Sequence, residues 1–420
     1  MLWRKDASET LLCLSNAKDY LPVAMRKFFA FLLVICCISQ QAGAQEEFIE
    51  PPSRELTTIP FIQLTGGIII LQAKLDDFPD TLNFVLDTGS SGISLDSSTV
   101  EYFGLKPTPT EQEIRGIAGI KKVSFLYNRK LHFPRLSIDS LNFHINDYTI
   151  LTQVYGERID GIIGYSIFKK FILKVDYDSM KITFCTNGTI RYPRGGYLLK
   201  PTINQLVTQP LRIKDAKTIH SRFLYDMGAG LCMLLSRDFV DDSLFLDSRR
   251  KHYTKEGEGL GGKIDMELTV MKEVRVGPYR FRNVPVLVFT DETNVTQYPQ
   301  LGGILGNDLL RRFNVIINYN RGDIFIIPNR HYLENFDYSY SGMELYMVDG
   351  KIIAGDVAKG SPAEQAGIKE GDEVVAVNSN FSQNLNQYKI ALQQPDEKVK
   401  LVLRRNGELI LLQFKILSIN

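Results

Sequence analysis

The chain has 420 residues, 44% of them apolar and 23% charged, with a formal net charge of +1 at pH 7. That length holds two or three domains with an ordinary share of core-forming residues. Near-neutrality argues against nucleic acid or an anionic surface as the main partner, since either calls for an excess of basic side chains.

Residues 1–24 read as neither a targeting signal nor a core. From Met25 the pattern changes: Arg26 and Lys27 precede a nearly all-apolar run over 28–38, followed by Ser39-Gln40-Gln41 and Ala42-Gly43-Ala44. A basic start, a short apolar stretch and an A-x-A site predict a secretory signal over 25–44, cut near Gln45. The run is too short for a spanning helix; an amphipathic or buried helix is the competing reading. Met25 is then a candidate initiator, and the mature chain is expected to be exported, periplasmic or extracellular. Cys36 and Cys37 hint at a lipoprotein, but Ile35 stands where a small residue is wanted. Of the five cysteines only Cys185 and Cys232 survive signal removal. An exported protein could pair them, or they are simply buried beside strand-like runs.

After a Pro-containing linker over 50–54, residues 61–73 read as paired strands around Gly66-Gly67. The apolar run Phe84-Val85-Leu86 then stops at Asp87-Thr88-Gly89-Ser90. Alone, such a triplet is most often a turn that uses its Asp locally. A short helix is expected near 97–103, and Gly116, Ile117 and Gly119 mark the tip of a hairpin that continues into a strand over 123–127. At Phe223-Leu224-Tyr225 the first pattern returns, ending in Asp226-Met227-Gly228-Ala229, 139 positions downstream. Residues 160–171 also align without a gap to 302–313, residues 136–150 resemble 274–288, both reading as a hairpin, and Val175-Asp176-Tyr177 matches Ile317-Asn318-Tyr319. A second glycine-rich tip falls at 257–262, with Gly259 and Gly261 as its candidates; either tip could also be an ordinary loose loop. Repetition on this scale predicts two tandem copies of one lobe, 45–192 and 193–336.

With these residues in place, the sequence resembles the retropepsin-like aspartic proteases, whose pattern is a strand, Asp-Thr/Ser-Gly-Ala/Ser, and well downstream an apolar pair and a Gly opening a short helix. Asp87-Thr88-Gly89-Ser90 with Ile162-Ile163-Gly164 fits fully; Asp226-Met227-Gly228-Ala229 with Ile304-Leu305-Gly306 fits less fully. The resemblance implies a mainly β protein in which two barrel lobes pack about a pseudo-twofold axis, both from one chain, with Asp87 and Asp226 as the catalytic pair and the two glycine-rich tips as flaps over substrate. In that family a hydroxyl after each Asp helps lock the loops together. Thr88 keeps it and Met227 does not.

Residues 337–420 repeat neither lobe. Ser361-Pro362-Ala363-Glu364-Gln365-Ala366-Gly367, followed by Gly371-Asp372, resembles a PDZ domain of the bacterial protease type. Ser361 is placed to cap a helix with Pro362 at its first position, and a second helix is expected over 384–394. The resemblance implies an α+β module whose backbone loop, here Ser341-Gly342-Met343, receives a peptide carboxyl terminus while the peptide adds as a strand.

Two carboxyls brought together share one proton, so an ionised member can activate water while its protonated partner polarises a carbonyl. Nothing competes with this chemistry: His132, His144, His220, His252 and His331 are scattered, and neither H-E-x-x-H nor G-x-S-x-G occurs. The expectation is an exported aspartic endopeptidase with no metal and no cofactor. Its partners would be a peptide or protein substrate and a peptide C-terminus, without nucleic acid, and with membrane contact only through the signal. It would be a monomer containing its own pseudo-dimer. The alternative is a catalytically inactive relative that binds peptides, motivated by Met227.

Overall fold

Short apolar strands broken by Gly, Asn and Asp turns leave little room for helix, and the fold is mostly β. The computed structural model describes Pro22 and residues 50–116, 119–259 and 262–420. The expected signal over 25–44, Ile117 and Gly261 lie outside the described residues. Among the described residues no helix is long and apolar enough to cross a membrane.

The first lobe contains β1 (Glu55–Pro60), β2 (Ile62–Gln63), β3 (Ile69–Leu75), β4 (Leu82–Leu86), β5 (Ile93–Asp96), helix α1 (Ser97–Tyr102), β6 (Thr108–Gly116), β7 (Gly119–Phe133) and β8 (Leu136–Asn146). It continues through α2 (Thr149–Tyr155), β9 (Gly161–Ile163), α3 (Tyr165–Phe168), β10 (Ile172–Asp176) and β11 (Lys181–Cys185). Its main sheet runs β2-β3-β4-β9-β5-β8-β7-β6, and a further β3–β7 pairing, Leu75 opposite Leu131, closes it into a barrel. As expected, β2 and β3 pair around a 3-10 turn over Thr65–Gly67.

The second lobe brings β12 (Tyr197–Leu199), β13 (Thr202–Asn204), β14 (Leu206–Lys214), β15 (Thr218–Tyr225), β16 (Met233–Ser236), α4 (Arg237–Ser243), β17 (Tyr253–Gly259), β18 (Gly262–Val276) and β19 (Tyr279–Phe289). Then come β20 (Gly303–Leu305), α5 (Asn307–Leu310), β21 (Phe313–Asn318) and β22 (Asp323–Pro328). The order β14-β15-β20-β16-β19-β18-β17 repeats that of the first lobe strand for strand, including the closing pair β14–β18. The hairpin expected over both 136–150 and 274–288 needs correction. Its turn falls inside the second stretch, at Gly277-Pro278, but at Pro134-Arg135 in the first copy, so 136–150 holds only the returning strand β8 and the start of α2.

What joins the lobes is a six-stranded sheet, β1-β11-β10-β21-β22-β12, to which each contributes three strands. At its centre Leu173 faces Ile317 and Val175 faces Val315, all buried, so one apolar core runs through both lobes. Cys185 and Cys232 are both buried free thiols.

The C-terminal domain consists of β23 (Ser339–Tyr340), β24 (Met343–Val348), β25 (Lys351–Val357), α6 (Pro362–Gln365), β26 (Glu373–Val377), α7 (Leu385–Ala391), β27 (Lys398–Arg405), β28 (Glu408–Lys415) and β29 (Leu417–Ser418). Its sheet runs β24-β25-β26-β27-β28 over a separate core that includes Leu345, Ile352, Val374, Tyr388 and Leu401. The helix starts follow the sequence reading: Ser361 Oγ accepts from Glu364 N at 3.2 Å, and Asn384 Oδ1 from Gln387 N at 2.9 Å. The connecting segment is tied to the second lobe by the buried Arg312, which lies 4.0 Å from the Phe336 ring centroid and donates to the His331 carbonyl at 3.2 Å.

If the β10–β21 contact joins the lobes into one cooperative unit, Leu173→Ala and Ile317→Ala will each cost about 2–5 kcal/mol, with the double variant less than additive because the residues face each other. Denaturant unfolding followed by separate probes in each lobe checks this. Two transitions, only one of which shifts, would show that the lobes fold independently.

Candidate active site

Each Asp loop is made by a strand that must stop. β4 pairs in parallel with β9, and β15 with β20, so Asp87 N donates to Ile163 O and Asp226 N to Leu305 O, both at 2.9 Å. The next residues turn away into glycine-containing loops, and each carboxylate caps its own loop: Asp87 Oδ1 accepts from Gly89 N at 2.6 Å and Asp226 Oδ1 from Gly228 N at 2.8 Å.

The two loops meet across the pseudo-twofold axis. A methyl group on Gly89 would stand 2.6 Å from Asp226 Cγ, and one on Gly228 2.5 Å from Asp87 Oδ1. Neither glycine tolerates a side chain, because the opposing carboxylate fills that space. Thr88, fully buried, donates to Tyr225 O at 2.7 Å and accepts from Met227 N at 3.0 Å. The reciprocal bond is absent, since Met227 packs into the core without a hydroxyl. The lock is one-sided.

The carboxyls are only partly exposed and hydrogen-bond to each other. Burial, then the charge and hydrogen bond of Asp226, push Asp87 well above the usual carboxylate range, against the opposing N–H groups of Gly89 and Ser90. Burial also raises Asp226, which is partly relieved by accepting from Asp87 and from the amides of Gly228 and Ala229. Both carboxyls are raised, so the pair takes up a proton together and titrates as a unit. Such a pair can activate a water with one oxygen and donate to a carbonyl with the other.

Sequence reading missed the floor beneath the pair. Tyr177, Tyr225 and Tyr319 are all buried there; Tyr177 donates to Asn307 Oδ1 at 3.0 Å, and burial with the negative field of both aspartates pushes the Tyr319 hydroxyl up. The signal was available, because Tyr177 and Tyr319 are the residues that stay identical where Val175-Asp176-Tyr177 repeats as Ile317-Asn318-Tyr319. In the first lobe Tyr148 and Ser94 form a hydroxyl pair at 2.7 Å, and burial pushes Tyr148 up to about 12, with the charge of Asp87 adding to it.

Both glycine-rich tips are hairpins, β6–β7 with Gly116 opposite Gly119 and β17–β18 with Gly259 opposite Gly262. They are differently held. Gly116 O accepts from Thr293 Oγ1 of the second lobe at 3.0 Å, whereas β17 and β18 lie against the C-terminal domain, with the Tyr253 and Tyr340 ring centroids 4.7 Å apart. In that domain Ser341-Gly342-Met343 immediately precedes and opens β24. Gly342, at φ 74, could not be replaced, since a methyl there would stand 2.6 Å from Ser361 Oγ.

This geometry agrees with what known proteins share with the chain. Residues 71–167 and 209–309 match the aspartyl protease family model, and residues 353–405 match a PDZ domain model. The two lobes are retropepsin-like aspartyl-protease domains, and the module after them is a PDZ domain. A 69-residue stretch, 16% of this chain, is 35% identical to a Chlamydia pneumoniae protein described as a probable periplasmic serine endoprotease DegP-like, and spans 14% of that protein's length.

Two measurements follow. Thr88→Ala strands a buried carbonyl and a buried amide, so it will cost about 1–3 kcal/mol of stability, and Thr88→Ser will restore most of it; equal losses in both variants would mean that the methyl rather than the hydroxyl matters. The pair also makes stability depend on pH. A carboxyl whose pKa is raised on folding binds its proton more tightly in the native state, so it weakens the fold as pH climbs above the unfolded value of about 4. Asp87→Asn is therefore expected to match the wild type in stability at acid pH and to become the more stable of the two as pH rises through neutrality. A difference that is flat with pH would refute the shared proton.

Proposed function

We propose that this chain is an exported aspartic endopeptidase in which Asp87 and Asp226 act on a water held between them, and that its PDZ domain binds peptide C-termini. The observation that carries this reading is the crossing of two repeat-related carboxyls that occupy each other's glycine space, a closeness at which such a pair holds one proton in common.

The chemistry balances on that single proton. Ionised Asp226 takes a proton from the water as its oxygen attacks the scissile carbonyl carbon, while Asp87 gives its proton to the carbonyl oxygen. The tetrahedral gem-diol then collapses: the C–N bond breaks, the amine nitrogen takes the proton from Asp226, and one diol proton returns to Asp87. No covalent enzyme intermediate is formed. Water is activated here because the carboxylate lies in a partly dehydrated cleft, where its charge is poorly screened. Export rests on the signal-like pattern over 25–44.

One observation favours a second reading, a non-catalytic peptide holder. Met227 leaves the Asp226 loop with a lock from one side only. The two readings part on a single experiment: digestion of an unfolded protein and a peptide library between acid and mildly alkaline pH by wild type, Asp87→Asn and Asp226→Asn. The protease reading expects cleavage that falls in either variant by at least ~10³-fold, of the order that a general acid or base contributes, and that fades on the alkaline side as Asp87 ionises, above the ordinary carboxylate range. Binding without cleavage at every pH would establish the holder. Cleavage equal in all three, and blocked by a serine-directed reagent, would place the chemistry elsewhere.

A further inference from the structure

The PDZ domain's peptide groove is not open. β24 is the outer strand of its sheet, and α7 packs beside it. Into that corner the first lobe inserts α2, whose Cα atoms come within 8 Å of those of β24. Lys389 of α7 donates to the carbonyl of Val154 in α2 at 2.6 Å. Gly156, the left-handed cap of α2, lies against Leu385, where a methyl would stand 3.0 Å from Leu385 Cδ2. A peptide strand paired to β24 would run about 4.8 Å away, and a helix about 10 Å across cannot share that place. Either α2 or a peptide can occupy the corner.

The same helix leans on the catalytic loop. Tyr155 of α2 packs in the cluster of Leu64, Ile68 and Ile70, and its hydroxyl lies 3.5 Å from the side-chain position of Gly230, the residue after Ala229. The turn at Thr65–Gly67 completes the path: Thr65 Oγ1 donates to Asn386 Oδ1 of α7 at 3.0 Å, and Gly66 abuts Gly230, leaving no room for a methyl. The second hairpin is held in the same interface, through Lys255 to Glu344 at 2.8 Å, Tyr340 to the Thr254 carbonyl at 2.9 Å, and Lys263 to Asp356. In the second lobe the position equivalent to α2 carries no helix, only the loop whose Thr293 meets the other hairpin. The helix is thus an element of the first lobe alone, set where the groove needs an occupant.

We propose that the groove between β24 and α7 is a carboxyl-terminus site gated by the chain's own α2. A peptide whose free carboxylate enters at Ser341-Gly342-Met343 displaces α2, which frees the second hairpin and the Asp226 loop, so that groove occupancy raises proteolysis. The inference rests on reading the PDZ domain as a receptor for peptide C-termini and not on the dyad's chemistry. Because α2 and ligand exclude each other, the linkage is reciprocal: whatever weakens the α2 contact must strengthen peptide binding by the same factor.

The test uses the full chain carrying Asp87→Asn, so that no probe is cleaved, with and without Lys389→Ala and Asn386→Ala. Both of those side chains are partly exposed, and their loss leaves the PDZ core intact. The probe is a pool of octapeptides randomised at the last four positions, in free-acid and C-terminal amide forms, offered to the immobilised protein. The expected result is at least fivefold more free-acid pool retained by the double variant than by its parent, with the amide pool retained equally by both. The bound free-acid pool should also speed amide exchange in residues 149–156 at least tenfold. Equal free-acid retention by the two proteins, including none by either, or unchanged exchange in α2, overturns the proposal. With Asp87 restored, the free-acid pool should raise cleavage of a labelled substrate severalfold, and an unchanged rate would remove the link to proteolysis. If no cleavage occurs under any condition the dyad reading fails, while retention and exchange still decide the gate.

Discussion

Two carboxyl groups set side by side, half out of water, repel each other unless they hold one proton in common, and a chain does not assume that arrangement without being made to. Here the constraint is mutual: each aspartate fills the space that a side chain on the other loop's glycine would need. Gly89 and Gly228 are thus as much a part of the pair as Asp87 and Asp226. Desolvation raises both carboxyls, and four backbone amides stop that destabilisation from running away.

Holding the loops this close requires rigidity from further out. The parallel pairings β4–β9 and β15–β20 stop each strand at the same depth, and the β10–β21 contact sets the spacing between lobes. A near-symmetric frame of this kind tolerates one broken half of the lock. Thr88 bonds to both Tyr225 and Met227, so a single hydroxyl engages the second loop at two points, while Met227 exchanges the missing bond for apolar burial.

Symmetry fails most where the C-terminal domain begins. The first hairpin tip touches the second lobe through Thr293, and the second hairpin is braced by the PDZ domain. Two related lobes therefore present unlike walls to a substrate. The unlike walls trace back to one substitution of element type, a helix over Thr149–Tyr155 in one repeat and a loop in the other. Allosteric coupling needs an element with two arrangements that both sites feel, and α2 touches the groove on one side and the neighbourhood of Gly230 on the other.

Much of this was legible in the residues. The duplication of the Asp loop and of the Ile-Gly helix start marks two lobes, because internal repeats are written in local pattern; Ser361-Pro362 likewise marks its helix start, because caps are local. The pairing of Asp87 with Asp226 was anticipated only through the family resemblance, and its geometry came from tertiary structure, since it depends on contacts between residues 139 positions apart. Over 136–150 the sequence reading pairs the repeats five residues out of step: β7, its turn and β8 lie 143 positions before β18, its turn and β19, whereas 136–150 and 274–288 are 138 apart. No local signal showed that the second hairpin would be braced by the C-terminal domain or that α2 would pack against β24 and α7. Those are matters of which surfaces meet once the chain has closed, and the free energy that decides them comes from burial between segments that carry no trace of one another in their own sequences.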